Sequence, residues 1–219
     1  MKDTDFIQIK ELLSTPQSIL LTTHTNPDGD AIGSMLALFW YLKKKGHQVQ
    51  MLVPDPFPSF LAWMTGQELI LVYSSEPEKC QQAIAGSTLI FSLDYNDLDR
   101  LENAKEFVLK SDAKKILLDH HLYPANQFDF RISVIHTSST AELVFTFIRE
   151  AGDSHLMDTA IAECIYAGII TDTGSFSYSC NHEETYLVVA ELFRHGIDGE
   201  HLHRLIYDTY SEYLSLIHI

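Results

Sequence analysis

The amino-acid sequence predicts an α/β fold in which helices flank a parallel β-sheet. Short apolar segments alternate with segments of helical period up to Ile135, and from Ser139 onward the pattern is mainly helical. Strands that are joined through helices run parallel, because each crossover returns the chain to the same edge of the sheet. The 219 residues, of which 46% are hydrophobic, suffice for one substantial core.

The first half of the chain predicts both kinds of element. The predicted strands share a short apolar run and are residues 18–23, 48–53, 88–93, 114–118 and 132–135, the last as an edge strand. The predicted helices share apolar residues three or four apart and are residues 5–13, 32–45 and 77–85. Gly46 ends the second of these helices. The three prolines of PDPFPSF, residues 54–60, then predict a loop.

The second half of the chain predicts helices. They are residues 140–151, 156–170, 183–194 and 199–210. Gly152 and Gly196 supply stop signals after the first and third of them. The cysteines at positions 80, 164 and 180 form neither a disulfide framework nor a zinc pattern, and Cys164 is predicted to be a small core residue.

Charge and hydropathy exclude several classes of protein. The 30 acidic and 15 basic residues give a formal charge of −15, which repels long nucleic acid. No run reaches the ~18 apolar residues of a membrane span. The first residues, MKDTDFIQIKELL, lack the features of a signal peptide. We therefore expect a cytoplasmic protein that binds neither membranes nor long nucleic acid.

Four short segments carry acidic or histidine residues just after a core element. They are His24, Asp28 and Asp30 in THTNPDGDAIGS, Asp94 in LIFSLDYND, Asp119, His120 and His121 in KILLDHH, and Asp172 in IITDTGSF. Three of the segments follow a predicted strand and one follows a predicted helix, and ligands collect at the carboxyl ends of parallel strands. Carboxylate oxygen and imidazole nitrogen together suit Mn²⁺ or a similar divalent ion. The four segments therefore predict a centre for two metal ions.

The spacing suggests a role for the loop and for Asp94. Pro27 and Gly29 permit a turn that aims Asp28 and Asp30 to opposite sides, so that one loop could supply two ions. Asp94 directly follows its strand and could bridge both ions. Two ions about 3.5–4 Å apart can activate a water and hold a phosphate for in-line attack.

The adjacent side chains complete this hypothesis. His120 and Asp172 would complete the second metal site. His121 could donate a hydrogen bond to the phosphate or to the leaving oxygen. Asp119 could orient a histidine from outside the ligand set.

Each segment also has a simpler explanation. Asn-Pro-Asp-Gly is a common turn, and adjacent histidines after a strand are often solvated or structural. Asp94 and Asp172 could each cap the N-terminus of a helix. A metal centre is favoured because it accounts for all four segments at once, whereas the alternatives require four independent coincidences.

These motifs resemble those of the DHH phosphoesterase superfamily, which is named for the sequence found here at residues 119–121. Within it, NPDGDAIGS, SSTAEL at residues 138–143 and TDTGSF are most similar to the bacterial nanoRNase and 3′-phosphoadenosine-5′-phosphate (pAp) phosphatase group, and the resemblance covers nearly all of residues 1–213. It implies two Mn²⁺ ions. The implied ligands are His24, Asp28 and Asp94 for one ion and Asp30, Asp94, His120 and Asp172 for the other, with His121 as the active-site histidine beside them.

The resemblance also sets expectations for domain organisation. Family members carry a C-terminal substrate-binding domain with a glycine-rich run, whereas this chain has ten glycines and no two adjacent. We expect a catalytic domain over residues 1–195, the start of a connecting helix over residues 196–213, and no C-terminal domain. The codons CTG TCT CTT ATA CAC ATC, which resemble a transposase mosaic-end adapter, encode LSLIHI. Residues 214–219 are therefore interpreted as non-native read-through.

The expected function is hydrolysis of short oligoribonucleotides, of pAp or of both, by a water that two metal ions activate. The alternatives are a related hydrolase acting on pyrophosphate, polyphosphate or cyclic dinucleotides, and a truncated metal-binding domain without turnover. The expected partner is a short oligonucleotide or nucleotide substrate. The chain could also form a homodimer.

Overall fold

A computed structural model describes residues 4–208 of the chain. Its centre is a six-stranded sheet in which every neighbouring pair is parallel and the strand order is β3-β2-β1-β4-β5-β6. The strands are β1 (Ser18–Thr22), β2 (Gln48–Val53), β3 (Ile70–Val72), β4 (Leu89–Leu93), β5 (Lys114–Asp119) and β6 (Phe130–Ser133). The predicted α/β fold with a parallel sheet is confirmed.

Eight α-helices accompany the sheet in this part of the chain. They are α1 (Thr4–Leu12), α2 (Gly29–Lys44), α3 (Pro77–Ala85), α4 (Lys105–Lys110), α5 (Thr140–Ala151), α6 (Thr159–Asp172), α7 (Glu183–Arg194) and α8 (Gly199–Tyr207). Within residues 4–208, none of the helices is long and apolar enough to cross a membrane.

The sheet separates two apolar layers because successive side chains of a strand point to opposite faces. Ile19 and Leu21 of β1 pack with α2, α5 and α6 in the larger layer. Leu20, between them, packs in the smaller layer with α3 and the segment around Leu98. Burial on both faces explains why the central strands are almost entirely apolar.

The order of the strands places a crevice beside β1. From β1 the chain adds β2 and β3 on one side and then returns to place β4 on the other side of β1. The loops after β1 and β4 therefore diverge at the carboxyl edge of the sheet. In doubly wound sheets this is the position at which ligands bind.

Several element boundaries differ from those predicted. Helix α2 begins at Gly29, so Asp30 lies in its first turn and not in the preceding loop. Helix α6 begins at Thr159, because Ser154–Leu156 forms a separate 3-10 turn. The short elements β3 and α4 were not predicted, since three and six residues are too few for a clear period.

The last described helix is shorter than predicted. Helix α8 ends at Tyr207, where Asp208 caps it, three residues before the predicted end at Tyr210. The interpretation of residues 214–219 as read-through concerns positions outside the described residues.

Candidate metal centre

The strand ends place three of the predicted side chains at the crevice. His24 lies just after β1, Asp94 directly follows β4, and Asp119 is the last residue of β5. All three are buried. Asp94 has a φ of +63°, a left-handed conformation that turns the chain sharply after β4. Such strain persists only where the surroundings impose it, and it is common at functional sites.

The loop between β1 and α2 holds His24 and Asp28. Asp28 caps α2, because its Oδ1 accepts hydrogen bonds from the backbone N–H groups of Asp30 and Ala31, both at 3.0 Å. His24 has Nδ1 2.8 Å from the carbonyl oxygen of Thr25, which favours a proton on Nδ1. Its Nε2 then presents a lone pair, 3.4 Å from Asp94 Oδ2.

The first turn of α5 binds Asp30. Both oxygens of this buried carboxylate accept backbone hydrogen bonds, from Thr140 N at 2.7 Å and from Ala141 N at 2.8 Å. The N-terminus of a helix favours a negative charge at this position. The Thr140 hydroxyl also donates to Asp94 Oδ1 at 2.9 Å. One turn of helix therefore orients carboxylates from two other elements.

Glycines allow α2 and α6 to approach closely. A Cβ on Gly33 would lie 2.5 Å from the carbonyl oxygen of Cys164. A Cβ on Gly168 would lie 2.4 Å from Ala141 Cβ and 2.8 Å from Asp30 Oδ1. Only a residue without a side chain fits at such distances. The approach brings the start of α2, with Asp30, toward the end of α6, with Asp172.

His120 is surrounded by three carboxylates from three elements. Its Nε2 lies 3.5 Å from Asp172 Oδ2, 3.6 Å from Asp94 Oδ1 and 4.0 Å from Asp30 Oδ2. Burial lowers the pKa of His120, so the neutral imidazole that can ligate a metal is favoured.

His121 is held by Asp119 in a separate arrangement. Its Nδ1 lies 2.7 Å from Asp119 Oδ1, and its backbone N–H donates to Asp119 Oδ2 at 3.1 Å. The hydrogen bond with the Asp119 carboxylate raises the pKa of His121 to about 9. Asp119 is fully buried, whereas the side chain of His121 is half-exposed and lines the crevice.

The carboxylates clustered at the crevice would be stabilised by a bound cation. Burial, followed by the neighbouring carboxylates, raises the pKa of both Asp30 and Asp94 well above the usual range, and burial also raises the pKa of Asp172. Within residues 4–208, histidines are the only basic partners of these three carboxylates. Bound divalent ions would supply the missing positive charge.

Three groups of side chains could each hold an ion with ligand atoms that lie within 4.8 Å of one another. They are His24, Asp28 and Asp94, then Asp30, His120 and Asp172, and then Asp94, His120 and His121. The oxygen and imidazole donors of the first two groups fit Mn²⁺ or a similar ion. The third group shows that distance alone does not separate His121 from the metal ligands.

The structure thus brings the predicted site residues together. His24, Asp28, Asp94, His121 and Asp172 line a crevice of about 280 Å³, and Asp30, Asp119 and His120 contact these side chains from beside it. Helix capping does not account for Asp94 or Asp172, because Asp94 is in a left-handed turn and Asp172 is the last residue of α6. The sequence reasoning missed the contacts of Thr140 and Ala141. These residues lie in SSTAEL, which was noted only for its family resemblance.

Comparison with known proteins identifies the family of the chain. Residues 18–169 match the family described as "DHH family, N-terminal domain". The chain is 33% identical over 181 residues to a bifunctional oligoribonuclease and PAP phosphatase NrnA of Thermus thermophilus, covering 82% of this chain and 50% of that protein. It is 28% identical to the NrnA of Bacillus subtilis, covering 90% of this chain and 59% of that protein.

A solved structure extends the likeness to the fold. An exopolyphosphatase-related protein from Bacteroides fragilis superposes with a TM-score of 0.94 and 39% identity, covering 98% of this chain and 63% of that chain. The chain therefore spans between half and two thirds of the length of these relatives. On the matched residues and the shared fold, it belongs to the DHH family of phosphoesterases.

Proposed function

We propose that the domain is a Mn²⁺-dependent phosphoesterase that hydrolyses short oligoribonucleotides, pAp or both. The observation that carries the proposal is the presence of two adjacent ligand groups at the carboxyl edge of the sheet. They are His24 with Asp28 and Asp94, and Asp30 with His120 and Asp172. Asp94 is near both groups, since its Oδ1 lies 3.6 Å from His120 Nε2, and we propose it as the bridging ligand.

The chemistry divides between the ions and the protein. When bound, two divalent ions supply positive charge that acidifies a water and neutralises a phosphate. The chain orients the ligands in advance, through the Asp28 cap and through the first turn of α5. Such pre-orientation is effective because no reorganisation is then required during the reaction.

His121 is proposed to act on the substrate directly. Asp119 holds its Nδ1 and leaves the other ring nitrogen free for a phosphate oxygen or for the leaving oxygen. A donor aimed at charge that develops in the transition state stabilises that state more than the ground state. Asp119 would then be a positioning residue, since its contact is to the imidazole.

The choice of substrate rests on charge and on the relatives. The charge of −15 argues against long nucleic acid, whose binding depends on many Lys and Arg contacts to phosphate. The relatives named as oligoribonucleases and PAP phosphatases support short nucleotide substrates.

Polyphosphate is the second candidate substrate, because the Bacteroides fragilis protein is described as exopolyphosphatase-related. Pyrophosphate and cyclic dinucleotides require the same centre, so the metal ligands do not distinguish among these substrates. A metal-binding domain without turnover is the remaining alternative.

The test combines metal titration with substrate hydrolysis. Calorimetry with Mn²⁺ should show two ions bound per chain. The Mn²⁺-loaded protein should release AMP from a diadenylate and from pAp faster than it releases phosphate from polyphosphate. Preferential cleavage of polyphosphate would favour the second candidate. Metal binding with no turnover of any of the three would leave only a binding domain.

Other expectations stay predictions. These are the domain boundaries at residues 195 and 213, the cytoplasmic location and the homodimer. Sedimentation of the purified chain would test the last of these.

A further inference from the structure

One basic side chain in the crevice has no role in the proposed metal chemistry. Arg100 lines the crevice together with His24, Asp28 and His121, and within residues 4–208 it is the only Lys or Arg among the lining residues. The side chain is exposed. Its guanidinium forms no ion pair or hydrogen bond with the described residues, although the carboxylates of the crevice are close by.

The backbone that carries Arg100 is firmly held. Arg100 lies in a 3-10 segment, Leu98–Ala104, that Asp97 caps by accepting a hydrogen bond from Asp99 N at 2.9 Å. Leu98 and Leu101 on either side of it are fully buried. The carbonyl oxygen of Arg100 accepts a hydrogen bond at 2.9 Å from Thr25 N, in the loop that carries His24. The backbone at Arg100 is therefore held in place, and it is hydrogen-bonded to the loop that carries the metal ligands His24 and Asp28.

The guanidinium of Arg100 is free to bind a ligand. Arg149, Arg194 and Arg204 each form an ion pair with a glutamate, whereas Arg100, like Arg131, forms none within residues 4–208. The guanidinium of an arginine offers a planar fork of donors that matches a phosphate. Among the described residues that line the crevice there is no other Lys or Arg, so Arg100 offers an attachment point for an anion.

We propose that Arg100 binds the second, non-reacting phosphate of a substrate that carries two phosphates, and thereby determines substrate specificity. This rests on the proposed function, in which the reacting phosphate lies against the metal ligands. The guanidinium of Arg100 forms no ion pair with a carboxylate of the ligand groups, so it is free to bind a phosphate other than the one at the metal ligands. A phosphate at Arg100 would bind in the ground state and in the transition state alike.

Steady-state kinetics on two substrates test this. One is pAp, with two phosphates, and the other is p-nitrophenyl phosphate, with one. Arg100→Gln should lower kcat/KM for pAp by about 10- to 100-fold, the usual worth of a charge-assisted hydrogen bond. The loss should lie in KM, because uniform binding is removed. Turnover of p-nitrophenyl phosphate should not change. Arg100→Lys should fall between Arg100→Gln and wild type, since an ammonium lacks the fork.

The matched control is Arg194→Gln. Arg194 is exposed at the end of α7 and pairs with Glu191, and the substitution changes the net charge by the same amount. It should leave both substrates unaffected, and thermal melting of each variant should match that of wild type. An equal loss on both substrates would overturn the proposal, as would an unchanged kcat/KM for pAp or the same loss in Arg194→Gln.

The experiment also separates this inference from the proposed function. If the wild-type protein turns over neither substrate, the proposed function fails. Calorimetric titration of pAp into the Mn²⁺-loaded wild type and Arg100→Gln then decides the inference alone. Weaker binding by about tenfold or more would support it, and equal binding would overturn it.

Discussion

The two halves of the candidate metal centre are built by different means. The strand half, which consists of His24, Asp28 and Asp94, lies on loops that leave β1 and β4, and Asp28 in it is exposed. The helix half consists of Asp30 on α2 and Asp172 on α6, which lie near the start of α5, together with His120, which follows β5; Asp30 in it is 1% exposed.

The two halves therefore differ in what fixes the positions of their ligand side chains. In the strand half, local hydrogen bonds such as the Asp28 cap orient the ligands. In the helix half, close packing at Gly33 and Gly168 fixes the distance between the helices. Packed interiors relax only slightly, so changes in the helix half should affect folding and metal together. Changes in the strand half should affect mainly the metal.

Substitution of Asp94, the proposed link between the halves, should have the largest effect. Asp94→Asn should abolish binding of both Mn²⁺ ions and lower activity by about a thousandfold, the upper range for loss of an electrostatic contact in an active site. Asn can still accept the Thr140 hydroxyl bond, so the fold should persist. The metal-free protein should melt higher at neutral pH, because burial raises the pKa of Asp94 and its ionised form costs stability.

Asp28→Asn is the matched control for Asp94→Asn. Asn is also a good N-cap, so α2 keeps its capping bond. Calorimetry should then show one ion lost and one retained. Two ions bound to Asp94→Asn would contradict the bridging assignment.

His121→Ala should leave two Mn²⁺ ions bound, one in each half of the centre. It should slow the chemical step by about a hundredfold. The reason is that His121 is proposed to contact phosphate and not metal. Calorimetric stoichiometry together with single-turnover rates would measure this. If one ion is lost instead, the third ligand group, with Asp94, His120 and His121, is the correct one.

Gly168→Ala should destabilise the fold and weaken Mn²⁺ binding in the helix half. The added Cβ would meet Ala141 and Asp30, so we expect the free energy of unfolding to fall by about 1–3 kcal/mol, the usual cost of overpacking. Mn²⁺ affinity in that half should fall with it. Gly86→Ala is the control, because its nearest atom, Gln82 O, is 3.3 Å away. Denaturant unfolding with and without Mn²⁺ measures both effects, and equal losses for the two variants would refute the packing argument.

Thr140→Val should have the smallest effect. It removes the hydroxyl bond to Asp94 but leaves the backbone bonds to Asp30 in place. Loss of such an orienting contact typically lowers metal affinity by about tenfold or somewhat more. Thr140→Ser keeps the hydroxyl and should bind Mn²⁺ as wild type does. Equal affinities for the Val and Ser variants would show that the hydroxyl does not orient Asp94.

Much of the molecule was determined by local sequence. The periods of the strands and helices predicted the alternating architecture, and residues 140–151 and 183–194 were predicted to the residue. The segments that carry His24, Asp94, His120 and Asp172 could also be found, because each follows an apolar run and ligands collect at strand ends. Periods and flanking residues of this kind need no knowledge of distant contacts.

Only the tertiary structure decided how these segments meet. Thr140 and Ala141 donate to Asp30 across 110 and 111 positions of the chain, and no local pattern encodes such a pair. The closeness of α2 and α6 at Gly33 and Gly168 likewise depends on how two helices cross. Arg100 also comes to lie beside the ligands only when the 3-10 segment docks on the β1 loop. Sequence patterns report residue type and period, whereas distances between ligands depend on the packing of elements far apart in the chain.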